Sequence, residues 1–201
     1  MYQDYVSKDG KFVGKFEEMY QKFQDPWEQS TREKNSYEKL IGLEIIKNNN
    51  FTNVIELGCG LGHYTNLIKS ISNKVTGIDI SETAIEKAKK NYPDCCFLVS
   101  DIDNSLLYEN VDCIMMVEIT WYILDKIEKF KEIISNLKGV GVYHTLNTYP
   151  KGVQKYGNEY FTNNLEIVKY FSDIIEIEEY GELYQEKNNG CIRTYFYGKI
   201  K

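Results

Sequence analysis

Hydrophobic residues change their spacing along the chain near position 53. Before this position, apolar residues recur every three or four positions, as in a helix with one buried face. In the first segment they are Phe12, Phe16, Met19, Tyr20 and Phe23. This spacing predicts a helix that ends before Pro26, and a second helical segment follows from Ser30 to about Asn48.

From Asn53 onward, short apolar runs alternate with helical patterns. The runs are Asn53 to Leu57, Lys74 to Asp79, Cys96 to Asp101, Val111 to Val117 and Gly141 to Leu146. This alternation predicts an α/β fold with a mostly parallel sheet and helices on both faces. Two later strand-like runs flank Asn188-Asn189-Gly190 and predict a hairpin that adds an antiparallel C-terminal strand.

Composition narrows the class of protein. The chain has 201 residues, 42% of them hydrophobic, and a net charge of −6. This charge argues against nucleic acid and against a polybasic membrane contact, and no apolar run approaches the roughly 20 residues that span a bilayer. The five cysteines include no CxxC pair, which favours free thiols and no metal site. We therefore expect a cytoplasmic protein without nucleic-acid or membrane partners.

A glycine-rich turn, Gly58-Cys59-Gly60-Leu61-Gly62, follows the first apolar run and precedes a helical pattern. A tight turn that a ligand approaches closely needs glycine. The third glycine of a dinucleotide fingerprint would stand at His63, so the spacing weakens an NAD(P) interpretation. No Lys-Ser or Lys-Thr pair follows the glycines, which excludes a P-loop.

Carboxylates stand at the ends of the predicted strands. Asp79 ends the second strand, 21 residues after Gly58, where open α/β sheets place the acid that binds both ribose hydroxyls. Asp101 ends the third strand and is followed by Ile102, a pair suited to an adenine amino group and one ring face. The pattern predicts a nucleoside-containing ligand at the carboxyl edge of the sheet.

In these segments the sequence resembles the class I S-adenosylmethionine (SAM) dependent methyltransferases. The matching segments are Val54 to Gly62, Gly77 to Ser81, Ser100 to Ile102 and Cys113 to Glu118. The resemblance implies a Rossmann-like domain, with SAM as cofactor and S-adenosylhomocysteine (SAH) as product. It implies cofactor contacts at Glu56, Gly58, Cys59, Gly60, Gly62, Asp79, Ile80, Asp101, Ile102 and Glu118.

The segments Lys15 to Tyr20, Asp25 to Trp27 and Ser36 to Glu38 resemble the N-terminal cap of small bacterial methyltransferases that act on sugars, including nodulation-type N-methyltransferases. The resemblance implies a helical cap over residues 1–35 and a SAM-binding domain over residues 36–201. Trp27 is interpreted as a cover for a ring or sulfonium, with helix packing as the alternative, and Arg32 as a clamp for the methionine carboxylate.

Residues near the transferred methyl group should lie at the carboxyl ends of the strands. Glu118, Tyr122 and His144 are the catalytic candidates, and a satisfied core histidine is an equal alternative for His144. The substrate candidates are aromatic or polar residues of the cap and of two loops: Tyr20, Trp121, Tyr122, Tyr149, Lys155 and Tyr156. The hairpin strand face with Arg193 is expected to meet solvent.

The resulting hypothesis is methyl transfer to a small polar acceptor by a monomer or homodimer. The acceptor is expected to be a hydroxyl or amine of a sugar or nucleotide-linked sugar, in surface-polysaccharide or natural-product biosynthesis. The alternatives are a catalytically silent regulatory protein that binds SAM or SAH, a methyltransferase of a non-sugar metabolite, and an enzyme that transfers an aminopropyl group.

Overall fold

The computed structural model describes residues 1–32, 36–149, 153, 156–157, 159–184 and 191–201. The side chain of Arg32 is outside this description. Lys155 and the predicted turn Asn188-Asn189-Gly190 also lie outside the described residues. The predictions made for them stay predictions.

The N-terminal segment contains short elements. They are α1 (Gln3–Val6), β1 (Ser7–Lys8), β2 (Lys11–Phe12), α2 (Phe16–Lys22) and α3 (Gln29–Arg32). The helix predicted from Phe12 is wrong at its start, because Phe12 pairs with Ser7 in a two-stranded hairpin. Gly14, with a φ of 66°, separates this hairpin from α2.

The remaining chain alternates strands and helices. The helices are α4 (Tyr37–Asn48), α5 (His63–Lys69), α6 (Glu82–Asn91), α7 (Ile127–Ile134) and α8 (Asn164–Phe171). The strands are β3 (Asn53–Leu57), β4 (Lys74–Asp79), β5 (Cys96–Val99), β6 (Cys113–Val117), β7 (Gly141–Thr148), β8 (Ile175–Tyr184) and β9 (Ile192–Ile200). Short 3₁₀ turns occupy Ser105–Tyr108 and Thr120–Tyr122. The second predicted helix is thus divided into α3 and α4.

The sheet has seven strands in the order β5-β4-β3-β6-β7-β9-β8. Strands β3 to β7 run parallel, and β9 is antiparallel to both β7 and β8. The predicted fold, mostly parallel with an antiparallel C-terminal strand, is confirmed. The strand order reverses between β3 and β6, and open α/β sheets bind ligands at the carboxyl ends of the strands beside such a reversal.

Neighbouring residues of each central strand pack on opposite faces of the sheet. Val54 and Met115 belong to the cluster with α4 and α5, whereas Ile55 and Ile114 belong to the cluster with α7 and α8. Each fully buried side chain of this size contributes roughly 1.5–3 kcal/mol to folding. Helices on both faces are therefore confirmed. None of the described helices has both the length and the apolar composition that crossing a bilayer requires.

The N-terminal segment is fastened to the start of α6. The Glu17 carboxylate accepts hydrogen bonds from Ser81 Oγ at 2.6 Å, Thr83 Oγ1 at 2.6 Å and the Thr83 backbone N–H at 3.1 Å. Burial alone would raise the pKa of Glu17, but these bonds outweigh it and lower that pKa to about 2. Helix α2 is thereby held over the carboxyl end of β4. The predicted division between residues 35 and 36 adjoins undescribed residues and stays a prediction.

Candidate active site

A cavity of about 230 Å³ lies at the carboxyl edge of the sheet, beneath α2 and α3. Aromatic, glycine and charged residues line it. The charged lining residues that the structure describes are Lys39, Glu56, Asp79, Asp101, Glu118, Lys126 and Arg193. The cavity thus brings together the acids predicted from three strand ends, together with three basic residues.

The glycine turn contributes its first residue to the cavity lining and also contacts the N-terminal segment. Gly58 and Gly60 have φ values of 69° and 54°, which favour glycine, and Gly58 lines the cavity. A Cβ atom at position 60 would lie 2.6 Å from Gln29 Oε1 and 2.7 Å from Tyr20 Oη. The Leu61 N–H donates to the same Gln29 oxygen at 2.9 Å. The absence of a side chain at Gly60 therefore lets Tyr20 and Gln29 pack against the glycine turn. The contact of Gln29 with this turn was not predicted from the sequence.

Cys59, Gly60 and Gly62 do not line the cavity in the described structure. The Cys59 side chain is buried in a cluster with Ile85, Ala88 and Phe97, and burial raises the pKa of its thiol. A Cβ atom at position 62 would lie 2.5 Å from Phe97 Cζ, so Gly62 allows the start of α5 to pack closely on β5. The geometry therefore does not support the predicted cofactor contacts of Cys59, Gly60 and Gly62.

Asp79 connects the glycine turn to the start of α6. Its Oδ2 accepts the Gly60 N–H at 3.0 Å, and its Oδ1 accepts the Ser81 N–H at 2.9 Å. Burial raises the pKa of Asp79 to about 6, and the negative charge of Glu17 adds to this effect against the opposing hydrogen bonds. The carboxylate is thus fixed in the cavity wall at the position predicted for a ribose contact.

The β5 side of the cavity carries the residues predicted to hold adenine. Ile80, Asp101 and Ile102 all line the cavity. The Ile80 side chain is 50% exposed, so an apolar face is available to a flat ring. Lys126 pairs with Asp101 through Nζ and Oδ2, and no sequence pattern indicated this partner.

Glu118 has strained backbone geometry at the end of β6. Its φ is 58°, an uncommon value for a residue other than glycine that is often found at functional sites. Its backbone N–H contacts Thr145 O at 3.1 Å, and its Oε1 accepts a hydrogen bond from Asn147 Nδ2 at 2.7 Å. Glu56, which is buried on β3, accepts a hydrogen bond from Thr65 Oγ1. Two carboxylates from adjacent strands therefore line the cavity.

A second cavity, of about 310 Å³, adjoins the first at Trp27 and Tyr122, which line both. Its remaining lining comes from the N-terminal segment and from residues around β7: Gln3, Val6, Ser7, Gly10, Phe12, Trp121, Tyr149 and Tyr156. No lining residue in the described part of the chain carries a formal charge. Four predicted substrate residues, Trp121, Tyr122, Tyr149 and Tyr156, meet here, whereas Tyr20 lines the first cavity.

Ring contacts hold these aromatic walls in place. The Tyr122 ring centroid lies 5.5 Å from the centroids of both Phe16 and Trp27. Trp121 Nε1 donates to the Asn147 carbonyl at 2.9 Å. Burial raises the pKa of Tyr122 well above its ordinary value and that of Tyr149 to about 12. Both hydroxyls therefore stay protonated at neutral pH.

His144 lies in the core and lines neither cavity. Its Nε2 is 2.7 Å from Thr120 Oγ1, and its ring stacks on Phe196 with centroids 4.8 Å apart. Burial lowers the pKa of His144 to about 3, so the ring is neutral at physiological pH. The predicted catalytic role of His144 is corrected to a packing role, because the side chain cannot reach a ligand in either cavity.

Arg193 faces the first cavity and not solvent as expected. It stands opposite Asn147 in the antiparallel pairing of β7 and β9, which places it at the carboxyl edge of the parallel strands. Its Nη1 lies 3.2 Å from Oε2 of Glu38, a side chain that is 1% exposed. The sequence contains only two arginines, Arg32 and Arg193, and this scarcity is the feature that could have indicated a role for Arg193 in the site.

An open parallel sheet with an acid-lined cavity at its strand reversal defines an α/β domain that binds a nucleoside-type ligand. A family model described as "Methyltransferase domain" matches residues 48–188, more than half of the chain. The chain therefore belongs to this methyltransferase family.

Curated relatives agree with this membership over part of their length. The chain is 33% identical over 91 residues to trans-aconitate 2-methyltransferase of Escherichia coli O17:K52:H18. The match covers 44% of this chain and 36% of that relative. The chain thus spans less than half the length of the curated relatives that it matches.

Solved structures share the fold over nearly the whole chain. N-methyltransferase NodS from Bradyrhizobium japonicum WM9, in complex with SAH, has a TM-score of 0.71 at 14% identity, covering 92% of this chain and 97% of that one. A SAM-dependent methyltransferase from Clostridium acetobutylicum ATCC 824 has a TM-score of 0.67 at 18% identity, covering 90% and 98%. At these identities the likeness concerns the fold.

Proposed function

We propose that this protein transfers the methyl group of SAM to a hydroxyl or amine of a small, uncharged acceptor, and that the acceptor is a sugar. The observation that carries the proposal is the pair of adjoining cavities that share Trp27 and Tyr122. One cavity is lined with acids and suits a cationic cofactor, and the other is aromatic and suits a neutral acceptor. We also propose that the protein acts in surface-polysaccharide or natural-product biosynthesis.

The residues that line the first cavity suit SAM. Asp79 offers a carboxylate to the ribose hydroxyls, and the exposed Ile80 side chain offers a surface to the adenine ring. Glu56 and Glu118 add negative charge to the lining, which favours the ammonium and sulfonium groups. When bound, SAM supplies a methyl carbon that is already activated for displacement.

The second cavity supports the acceptor class. Trp121, Tyr149 and Tyr156 combine flat apolar faces with hydrogen-bonding groups, as recognition of a sugar ring requires. The relative from E. coli is named for trans-aconitate, an acceptor with three carboxylates. The described lining of the second cavity offers no positive charge for such groups, which supports a neutral acceptor.

Glu118 is the residue that we propose for the reacting end of the acceptor. It lines the first cavity and lies close enough to Tyr122 and Tyr149 to raise the pKa of both hydroxyls further. The acceptor must lose a proton when its new bond to the methyl carbon forms and the carbon–sulfur bond breaks, and we propose the Glu118 carboxylate as the group that takes this proton. Tyr122 and Trp27 position the acceptor between the two cavities.

A transfer assay with labelled SAM tests this function. We expect label to appear on members of a panel of neutral sugars and amino sugars, and not on small carboxylic acids that include trans-aconitate. Labelling of the carboxylic acids alone would replace the sugar proposal, and SAH binding without any labelled product would favour the silent regulatory protein.

A pair of variants links the acceptor to the second cavity. Tyr149→Phe removes one hydroxyl from its lining and should raise the acceptor KM while the affinity for SAM stays unchanged. Tyr160→Phe makes the same change at a residue that is 40% exposed and outside both linings, and it should leave KM unchanged. Equal effects of the two variants would contradict the assignment.

A further inference from the structure

The second cavity lies between two parts of the chain that are distant in sequence, the N-terminal segment and the residues around β7. Aromatic pairs join these two sides. Trp27 and Tyr122 line both cavities, so this pair adjoins the cofactor cavity. Phe12 and Tyr156 line the second cavity and not the first, and their rings stack with centroids 5.6 Å apart and planes at 18°. The Phe12–Tyr156 stack therefore closes the second cavity at a place that the cofactor cavity does not reach.

The backbone places Phe12 through a tight hairpin. Lys8 pairs with Lys11 and Ser7 pairs with Phe12, which leaves a two-residue loop. The loop residues Asp9 and Gly10 have φ values of 53° and 73°, as a type I′ turn requires at both positions. A Cβ atom at position 14 would lie 3.0 Å from Phe12 Cε1, so the ring lies directly against the backbone of Gly14. Phe12 is thus held on its side of the cavity by local structure.

The partner ring is placed by close packing at Gly157. A Cβ atom at this position would lie 2.6 Å from Trp121 Cζ3, and the φ of Gly157 is 79°. The Gly157 carbonyl accepts hydrogen bonds from the backbone N–H groups of Tyr160 at 2.9 Å and Phe161 at 3.2 Å. The backbone next to Tyr156 is therefore packed against Trp121, another residue of the cavity lining. Both rings of the stack thus stand on backbone that is fixed by its own contacts.

The size of the second cavity corresponds to one sugar ring. At roughly 30 Å³ for each water-sized group, the cavity of about 310 Å³ holds about ten such groups, and a hexose has about twelve non-hydrogen atoms. A second ring would need about the same volume again. While Phe12 and Tyr156 stay stacked, the cavity therefore matches a single ring and does not contain two.

We infer that the Phe12–Tyr156 stack restricts the acceptor to a single sugar ring, and that Phe12 is a specificity-determining residue. The inference rests on the proposed function, since it concerns the acceptor of that same site. The stack acts by steric exclusion, because a longer acceptor meets the two rings where a monosaccharide does not. Removal of either ring should therefore widen the range of acceptors without changing the cofactor site.

Transfer of labelled methyl groups to matched sugars tests the inference. The probes are glucose, galactose and glucosamine, and the disaccharides cellobiose, lactose and chitobiose, in which the same rings stand at the non-reducing end. For the monosaccharides that the wild-type protein labels, the matching disaccharide should have a kcat/KM lower by about tenfold or more. Phe12→Ala should raise the ratio of disaccharide to monosaccharide kcat/KM by about tenfold or more, and the affinity for SAM should stay unchanged.

Further variants separate loss of the wall from damage to the N-terminal segment. Phe12→Tyr keeps a stacked ring and should keep the wild-type ratio. Tyr156→Ala opens the stack from its other side and should raise the ratio as Phe12→Ala does. Phe23→Ala is the matched control, since Phe23 packs on Tyr5 in the N-terminal segment and lines neither cavity, and it should leave the ratio unchanged.

Three results would overturn the inference: equal use of monosaccharides and disaccharides by the wild-type protein, an unchanged ratio in both Phe12→Ala and Tyr156→Ala, or the same rise in Phe23→Ala. Absence of label on all of these probes, from wild-type protein that binds SAH, would instead overturn the sugar acceptor of the proposed function, and the inference with it.

Discussion

Replacement of Asp79 by Asn tests the cofactor site through its charge. The Asp79 carboxylate holds the Gly60 and Ser81 N–H groups, and its pKa is raised to about 6 by burial. Binding of a cationic ligand favours the ionised form of this acid. The affinity for SAM should therefore increase as the pH rises through about 6, and the Asn variant should lack this dependence.

The magnitude follows from the fraction of Asp79 that is ionised. With a pKa of about 6, roughly a quarter of the groups are ionised at pH 5.5 and nearly all at pH 8. The wild-type affinity for SAM should thus be about fourfold weaker at pH 5.5 than at pH 8. At pH 8, Asp79→Asn should weaken SAM by about tenfold or more, because charged hydrogen bonds to the ribose hydroxyls are lost.

The same raised pKa has a consequence for stability without ligand. Because the pKa of Asp79 in the folded protein lies above the ordinary aspartate value of 3.8, the folded protein binds more protons than the unfolded chain between about pH 4 and pH 6. The contribution of Asp79 to stability should therefore fall as the pH rises through this window. Urea unfolding of the wild-type protein and of Asp79→Asn at both ends of the window measures this difference.

Calorimetry at pH 5.5, 6.5 and 8 measures the affinity for SAM. Asp173→Asn is the matched control, since Asp173 pairs with Lys131 on the surface and lines neither cavity. This control should follow the wild-type profile. Identical pH profiles for the wild-type protein and Asp79→Asn would refute the placement of the cationic ligand beside Asp79.

Other substitutions separate catalysis, packing and turn geometry. Glu118→Gln should lower the rate of methyl transfer by about a hundredfold, measured as SAH release, and a rate within threefold of wild type would exclude proton transfer by this residue. His144→Phe should cost about 1–3 kcal/mol in urea unfolding, because Thr120 Oγ1 loses its buried partner, while kcat stays unchanged; a large loss of kcat in folded protein would restore a catalytic role. Gly62→Ala should destabilise the protein by about 2 kcal/mol or more in thermal unfolding, because its φ is 79° and a Cβ atom would meet Phe97, and wild-type stability would contradict this packing.

The sheet could be predicted because its strands carry strong local patterns. Runs such as Asn53 to Leu57 are apolar on both faces, since helices cover both sides, and glycines mark the turn that follows. The N-terminal segment was harder to predict, because its apolar residues pack against different parts of the protein. Phe12 forms part of a short strand and lines the second cavity, whereas Met19 packs against the main domain, although both fit one helical stripe.

The acids of the site could be predicted from their positions at strand ends, whereas their partners could not. Asp79 is the last residue of β4 and Glu118 directly follows β6, so the topology alone brings them to one edge. Lys126 and Arg193 reach the cavity because of the packing of α7 and the register of β9, which no local pattern encodes. The prediction of a catalytic role for His144 was wrong because His144 lies within a strand and not at its end. Its position within a strand left its direction open, and it points into the apolar cluster with Phe171 and Phe196.

A crystal structure of the protein with SAH tests the central claim most directly. The account predicts SAH in the first cavity, with its ribose hydroxyls on Asp79 and its sulfur facing the second cavity past Tyr122 and Trp27. Binding of SAH elsewhere, or a sulfur that faces away from the second cavity, would contradict it.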